Sequence, residues 1–282
     1  MHSLNSMEEK SSLYLELMKK VLTGNHRPDN TEYFPLYPAP FLFTKPLLIL
    51  DRILRWKGHA ICQIHRYTPE MFIHGKGWPT HADTMIGLKR LENIEACMNT
   101  ILQDNVPGEF MEAGVWRGGA GIFIRAILKE KNIRNRNLWM ADSFHGLPKP
   151  NPDQYPADKG DKLHQFKELA VSLEEVKYNF EKYNLLDDQV KFLKGWFKDT
   201  LPTAPIDQLA LLRIDADMYE STMDVLCNMY PKISAGGFVI IDDFGGLESC
   251  KQAVMDFRSS RNITETIKTI DWTGVYWRKE KS

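Results

Sequence analysis

The sequence predicts an α/β fold: a mostly parallel, seven-stranded sheet with helices on both faces and an antiparallel final strand. Three observations predict it. Short, almost wholly apolar segments recur from about residue 109 onward, as expected of strands covered on both faces. Segments with apolar residues at helical spacing separate them, the alternation that builds a parallel sheet. The last two apolar segments lie close together, which calls for an antiparallel ending.

Each element follows from its pattern. A helix is expected over Met85–Leu102, where Leu88, Leu91, Ile94, Cys97 and Met98 recur on one side. A strand, Glu109–Val115, leads through a glycine-rich turn into a helix, Ala120–Lys129. The second strand is Leu138–Ala141, followed by a loop, Asp142–Leu163, with four prolines and two glycines. A helix carrying Leu173, Val176 and Phe180 precedes a strand, Val190–Leu193, and a further strand, Leu209–Ile214. A helix over Ser221–Tyr230, a strand over Gly237–Ile241 and a helix over Gly246–Arg258 continue the alternation. Strands near Glu265–Ile270 and Val275–Arg278 close it. No repeat or low-complexity segment interrupts the chain.

Residues 1–76 read differently, as a helical and irregular extension ahead of a second unit, 77–282. Leu13, Tyr14, Leu17, Met18 and Val21 have helical spacing. Pro35, Pro38, Pro40 and Pro46 stand among aromatics, the pattern of an ordered but irregular arm that serves as a lid or an oligomer contact. A helix and a strand are weakly indicated over 47–76.

Composition narrows the function. With 43% hydrophobic and 26% charged residues the 282-residue chain is an ordinary globular protein, and a formal net charge of −1 offers no field for nucleic acid or an anionic membrane. The longest early apolar run, around Pro46–Leu50, is too short to span a bilayer, and Glu8, Glu9 and Lys10 do not open a signal peptide. A cytoplasmic location is expected. Cys62, Cys97, Cys227 and Cys250 form no C-x-x-C pair and read as small hydrophobes rather than as zinc ligands.

The turn after the first strand, Phe110–Gly119, places glycines where backbone must approach a ligand closely. Its spacing, Gly114, Gly118, Gly119, is not the dinucleotide fingerprint G-x-G-x-x-G. Glu112, just before Gly114, would repel a pyrophosphate and suits a cationic head such as a methionine amino group. Asp142 ends the second strand, where an acid typically bonds ribose hydroxyls, unless it merely caps its loop. Together the two acids favour an adenosyl ligand with a ribose and an amino acid but no phosphate.

A second constellation lies at the ends of two later strands, in Arg213–Glu220 and Val239–Phe244. Parallel strands bring these ends to one sheet edge, so Asp215, Asp217, Asp242 and Asp243 should crowd together. Single acids there often cap a helix or pair with a base such as Arg213. Four on one edge repel each other, and a hard cation, Mg²⁺, Ca²⁺ or Mn²⁺, relieves that repulsion. A cation touching an alcohol oxygen lowers its pKa, and a neighbouring carboxylate accepts the proton. Asp217, two residues after Asp215, is placed to face an acceptor while Asp215 faces the metal.

Six ordered segments carry a resemblance. They are Gly77–Gly87 (GWPTHADTMIG), Glu112–Gly119 (EAGVWRGG), Asp142–Pro148 (DSFHGLP), Gly195–Pro202 (GWFKDTLP), Arg213–Thr222 (RIDADMYEST) and Gly236–Asp243 (GGFVIIDD). The sequence resembles the metal-dependent, S-adenosylmethionine-dependent O-methyltransferases of the macrocin, mycinamicin and novobiocin type, over roughly residues 77–279. The resemblance implies a Rossmann-like class I methyltransferase fold. It implies cofactor contacts from Thr84 and Met85, from Glu112, Ala113, Gly114, Val115, Trp116, Gly118 and Gly119, from Asp142 and Ser143 for the ribose, and from Gly195, Trp196 and Phe197 near the adenine. It implies Mg²⁺ ligands at Asp215, Asp242 and Asp243 and a general base at Asp217. Its members act on hydroxyls of natural products, typically sugars, and are homodimers or larger. The alternatives are an N-methyltransferase on the same scaffold and a non-catalytic cofactor-binding protein.

Other residues have plainer readings. His74, His81, His145 and His164 flank the expected cleft and read as surface or loop residues rather than catalytic ones. Trp78 and Trp116 read as core, and Tyr219 as packing or an acceptor contact. The Lys149–Lys162 stretch, with Asp153, Asp158 and Asp161, reads as a mobile lid over the acceptor.

Overall fold

The computed structural model describes residues 12–26, 29–35 and 45–280. Most of the Pro/aromatic arm expected between residues 34 and 46 lies outside these residues. No helix among them is long and apolar enough to cross a membrane.

The N-terminal part begins with α1 (Leu13–Leu22), started by Ser12, whose hydroxyl accepts from the Leu15 N–H at 3.2 Å. The helix turns Leu15, Met18 and Leu22 inward and leaves Leu13 and Leu17 in water. A two-stranded hairpin follows, β1 (Thr31–Pro35) antiparallel to β2 (Cys62–Arg66), with α2 (Lys45–Trp56) between its strands. Then come α3 (Pro69–His74), ended by Gly75 at φ +63, and α4 (Leu88–Gln103). Gly87 caps α4, so the helix starts later than its apolar spacing suggested.

The seven-stranded sheet has β3 (Glu109–Ala113), β4 (Leu138–Asp142), β5 (Val190–Lys194), β6 (Leu209–Ile214), β7 (Ile233–Ile241), β8 (Lys268–Thr269) and β9 (Val275–Arg278). Their order is β5-β4-β3-β6-β7-β9-β8, parallel except for the antiparallel pairings of β9 with β7 and β8. The expected fold class is therefore present. On one face α1, α4, α5 (Gly119–Glu130) and α6 (Leu173–Lys182) pack over Phe123, Ile127, Val176 and Phe180. On the other, α8 (Tyr219–Met229) and α9 (Glu248–Ser260) cover Val225, Leu226, Val254 and Phe257, with the short α7 (Phe197–Thr200) alongside. The apolar strands are dry on both sides, which is why they read as continuous hydrophobic runs.

The strand order reverses beside β3, with β4 on one side and β6 on the other, and crevices at such points hold ligands in open α/β sheets. Three backbone bonds step across this edge. Gly114 N donates to Ala141 O at 2.9 Å, Asp215 N to Ala113 O at 2.8 Å, and Asp242 N to Ile214 O at 2.9 Å. The ends of four strands are thus locked in relative height before any side chain is considered.

Candidate active site

Gly114 explains why the first strand stops at Ala113 and not at Val115. Its φ of +89 turns the chain out of the sheet, and a Cβ there would fall 1.7 Å from the Asp215 carbonyl oxygen. The turn stays left-handed in places, with Trp116 at φ +46 and Gly118 at φ +88, and delivers the chain into α5. Asp142 holds the turn from the side. Its Oδ2 accepts from Val115 N and its Oδ1 from Phe144 N, both at 2.7 Å. Its capping role is therefore real, and lone pairs remain for a further donor.

The turn, the strand ends and the neighbouring loops enclose a cavity of about 400 Å³. Of the residues singled out from sequence, Thr84, Met85, Glu112, Gly114, Val115, Trp116, Gly119, Asp142, Ser143, Trp196, Phe197, Asp215, Asp217, Asp242 and Asp243 all line it. Ala113, Gly118 and Gly195 do not. Ala113 supplies the carbonyl that holds Asp215, Gly118 caps α5, and Gly195 N donates to Asp142 O at 2.9 Å. These three shape the wall from behind.

The charge centre of the cavity is Arg213, which is fully buried. It donates to Glu112 Oε1 at 2.7 Å, to Asp215 Oδ2 at 2.9 Å and to Asp242 Oδ1 at 2.6 Å. Arg90 donates to the other oxygen of Asp242 and, at 2.9 Å, to Asp271 Oδ2. Burial would raise the Asp242 carboxyl, but the two guanidiniums outweigh it and hold it below its ordinary value. Burial pushes Glu112 up to about 8 against the pull of Arg213, and its Oε2 has no hydrogen-bond partner.

The remaining acids lack such compensation. Asp243 is raised well above its ordinary value, first by burial and then by Asp215 and Asp217. Asp217 is pushed up to about 8 by burial and by Asp215 and Asp242. Asp217 also sits at φ +57, a conformation a non-glycine residue holds only when its surroundings impose it. Its own N–H, donating to Asp243 Oδ2 at 3.3 Å, and its carbonyl, accepting from Ser249 Oγ at 3.2 Å, fix that turn.

Asp215, Asp242 and Asp243 each offer a carboxylate oxygen, and these oxygens lie within 4.8 Å of one another. Asp217 is not part of this group. Three converging oxygens with excess negative charge fit a hard divalent cation. The unpartnered Glu112 oxygen and the N-terminus of α5, where Gly119 and Ala120 line the cavity and no acid stands in the first turn, fit the ammonium and carboxylate of an amino acid.

Sequence reading missed several contributors. Arg90 pairs with an acid 152 residues away, and nothing local marks it. Trp78 reads as core from the sequence, yet it is 55% exposed and lines the cavity, in a loop held by Gly75, whose carbonyl accepts from Trp78 Nε1, and by Glu32, which accepts from Thr80 N. Asp158, in the proline-rich loop, is buried and accepts from Tyr219 N at 2.7 Å and Glu220 N at 3.0 Å, anchoring that loop to the start of α8. Of the flanking histidines, His81 bonds Glu32 and Gly24, and none lines the cavity.

Comparison with known proteins identifies the group to which this architecture belongs. The macrocin O-methyltransferase (TylF) family matches residues 11–279, reaching into the N-terminal part. Demethyldecarbamoylnovobiocin O-methyltransferase of Streptomyces niveus is 47% identical over 275 residues, 96% of this chain and 95% of the relative. The 8-demethyl-8-(2,3-dimethoxy-alpha-L-rhamnosyl)-tetracenomycin-C 4'-O-methyltransferase of Streptomyces olivaceus is 45% identical over 272 residues, 96% of this chain and 94% of the relative. The solved structure of the O-methyltransferase NovP superimposes with a TM-score of 0.81 at 46% identity, covering 96% of this chain and all of that one. The chain belongs to the macrocin O-methyltransferase family and is an O-methyltransferase.

Proposed function

We propose that the protein transfers a methyl group from S-adenosylmethionine to a hydroxyl of a natural-product intermediate, a sugar hydroxyl in the first instance, with Mg²⁺ held by Asp215, Asp242 and Asp243. The observation that carries this reading is the convergence in one cavity of three mutually close carboxylate oxygens, the separate Asp217 and the glycine-rich turn. The sugar acceptor is supported by the relative whose name specifies methylation at a rhamnosyl group.

The residues divide the work. Glu112 receives the ammonium of the cofactor's methionine part through its open oxygen, and the α5 N-terminus receives the carboxylate. Asp142, fixed by two backbone bonds, accepts from the ribose hydroxyls, and Ser143, whose hydroxyl donates to the Gly146 carbonyl at 2.7 Å, lines the cavity beside it. Trp196 and Phe197 cover the adenine, and Thr84 and Met85 add to the cofactor's contacts in the same cavity. Asp215, Asp242 and Asp243 would hold a divalent cation, which when bound would supply Lewis-acid polarisation of the acceptor hydroxyl. Asp217, raised to about 8 and with no donor to its carboxylate among the described residues, takes the hydroxyl proton. Arg213 keeps Asp215 and Asp242 at fixed positions throughout, so the remaining contribution is alignment of oxygen, methyl carbon and sulfur.

The direct test is to incubate the protein with methyl-labelled S-adenosylmethionine, Mg²⁺ and a panel of glycosylated natural products. Label recovered on a sugar oxygen is the expected result. Label on nitrogen, or on no member of the panel, overturns the assignment.

A further inference from the structure

Two tryptophans at the mouth of the cavity are used by nothing described above. Trp78 is 55% exposed and Trp272 is 49% exposed, and both line the cavity. Large indoles left half in water at a pocket rim mark a surface that a ligand covers.

Their placement is built rather than incidental. Trp78 Nε1 donates to the Gly75 carbonyl at 3.2 Å, and Trp272 Nε1 donates to the His74 carbonyl at 2.7 Å. Two indoles far apart in the chain are thereby tied to consecutive carbonyls. Glycines make the approach possible. A Cβ on Gly75 would fall 2.6 Å from Gly87 N, and one on Gly245 would fall 2.4 Å from the Trp272 carbonyl oxygen. Gly245 stands two residues after Asp243, and its N–H donates to the Thr273 carbonyl at 2.8 Å, so the segment that carries the acids also seats Trp272.

Trp272 also carries a cation–π contact. Lys76 places its ammonium 5.4 Å from the ring centroid, and Lys76 is not part of the cavity lining. With both N–H groups satisfied, the indoles present apolar faces without an unpaired donor. The same cavity is lined by Asp217 and Asp243, whose carboxylates can accept hydrogen bonds from hydroxyls. A ligand that matches this arrangement has an apolar C–H face on one side and hydroxyls on its edge, which is the chemistry of a pyranose ring.

We propose that Trp78 and Trp272 form the acceptor subsite, an indole platform on which the C–H face of a pyranose lies while one ring hydroxyl points at Asp217. This rests on the reading of the cleft as a glycosyl-hydroxyl site and adds which residues select the sugar.

The test uses methyl α-L-rhamnopyranoside as probe and saturation-transfer NMR on the full chain loaded with S-adenosylhomocysteine. Wild-type protein is expected to transfer saturation to the ring C–H protons. Trp78→Ala and Trp272→Ala should each reduce that transfer at least fivefold, Trp78→Phe and Trp272→Phe should restore most of it, and S-adenosylhomocysteine affinity should stay within twofold. No transfer from the wild type, or undiminished transfer from both alanine variants, overturns the platform. A rhamnoside that contacts the indoles but accepts no methyl group upholds the platform and sinks the proposed reaction. A rhamnoside methylated at wild-type efficiency by both alanine variants does the reverse.

Discussion

Arg213 donates through Nη2 to Asp242 Oδ1 at 2.6 Å, inside the protein and away from water. The same guanidinium also holds Glu112 and Asp215, so one cation serves the proposed cofactor acid and two proposed metal ligands together. Removing it leaves two buried carboxylates, Glu112 and Asp242, and the partly buried Asp215 short of a partner. Arg213→Met should cost about 3–5 kcal/mol of folding stability, the range for breaking a buried ion pair from one side. Urea unfolding of the two proteins measures the difference. Arg213→Lys should recover little, because an ammonium lacks the planar fork that reaches three acceptors.

Asp217 is assigned to the proton and not to the metal. Asp217→Asn should lower turnover about 10²–10⁴-fold, the usual contribution of a positioned base. Affinity for S-adenosylhomocysteine and for Mg²⁺ should change less than twofold. Calorimetry on the variant separates the cases, since a loss of Mg²⁺ binding would move Asp217 into the ligand set.

Mg²⁺ affinity should rise with pH. Asp243 is held well above its ordinary value by burial and by its acidic neighbours, so without a cation it retains its proton at pH values where a free carboxyl has lost it. A ligand must be deprotonated to bind, and the proton therefore competes with the metal. Isothermal titration at pH 6, 7 and 8 should show tighter binding at each step, with protons released to the buffer. A pH-independent affinity would contradict the assignment of Asp243.

Glu32 joins the N-terminal hairpin to the loop that holds Thr80 and His81. It accepts from Thr80 N at 2.9 Å, Thr80 Oγ1 at 2.8 Å and Tyr67 Oη at 2.8 Å, and lies 3.0 Å from His81 Nδ1. Burial alone would raise its carboxyl, but the bonds from Thr80, Tyr67 and His81 outweigh it and hold it at about 2. A folded-state value depressed below 4.5 means that the stabilisation is complete above pH 4.5 and is lost as pH falls toward 2. Glu32→Gln should therefore be less stable than wild type at pH 6, and the gap between their urea midpoints should shrink between pH 4.5 and 3. An unchanged gap would show that the carboxylate charge contributes nothing.

The sheet was legible because parallel strands buried on both faces must be apolar and short, and Phe110, Leu211 and Val239 satisfy that without reference to distant residues. The acids at the strand ends were legible for the same reason, since topology alone places Asp215 beside Asp242. What escaped notice depends on contacts across long separations. The Arg90–Asp242 pair and the Glu32–Thr80 bonds leave no periodic trace. The exposed setting of Trp78 follows from a loop held by Glu32 and Gly75, not from the hydrophobicity of indole. Strand ends shifted where one residue decided them. Gly114 stopped β3 early, and only Lys268 and Thr269 of the span near Glu265–Ile270 pair with β9.

The most direct measurement is turnover after metal removal. Protein treated with a chelator and passed through a desalting column should lose at least a hundredfold in methyl transfer, keep its affinity for S-adenosylhomocysteine within twofold, and recover on addition of Mg²⁺. The Asp215→Asn and Asp243→Asn variants should fail to recover. Full turnover in the chelated enzyme would contradict the role given to Asp215, Asp242 and Asp243.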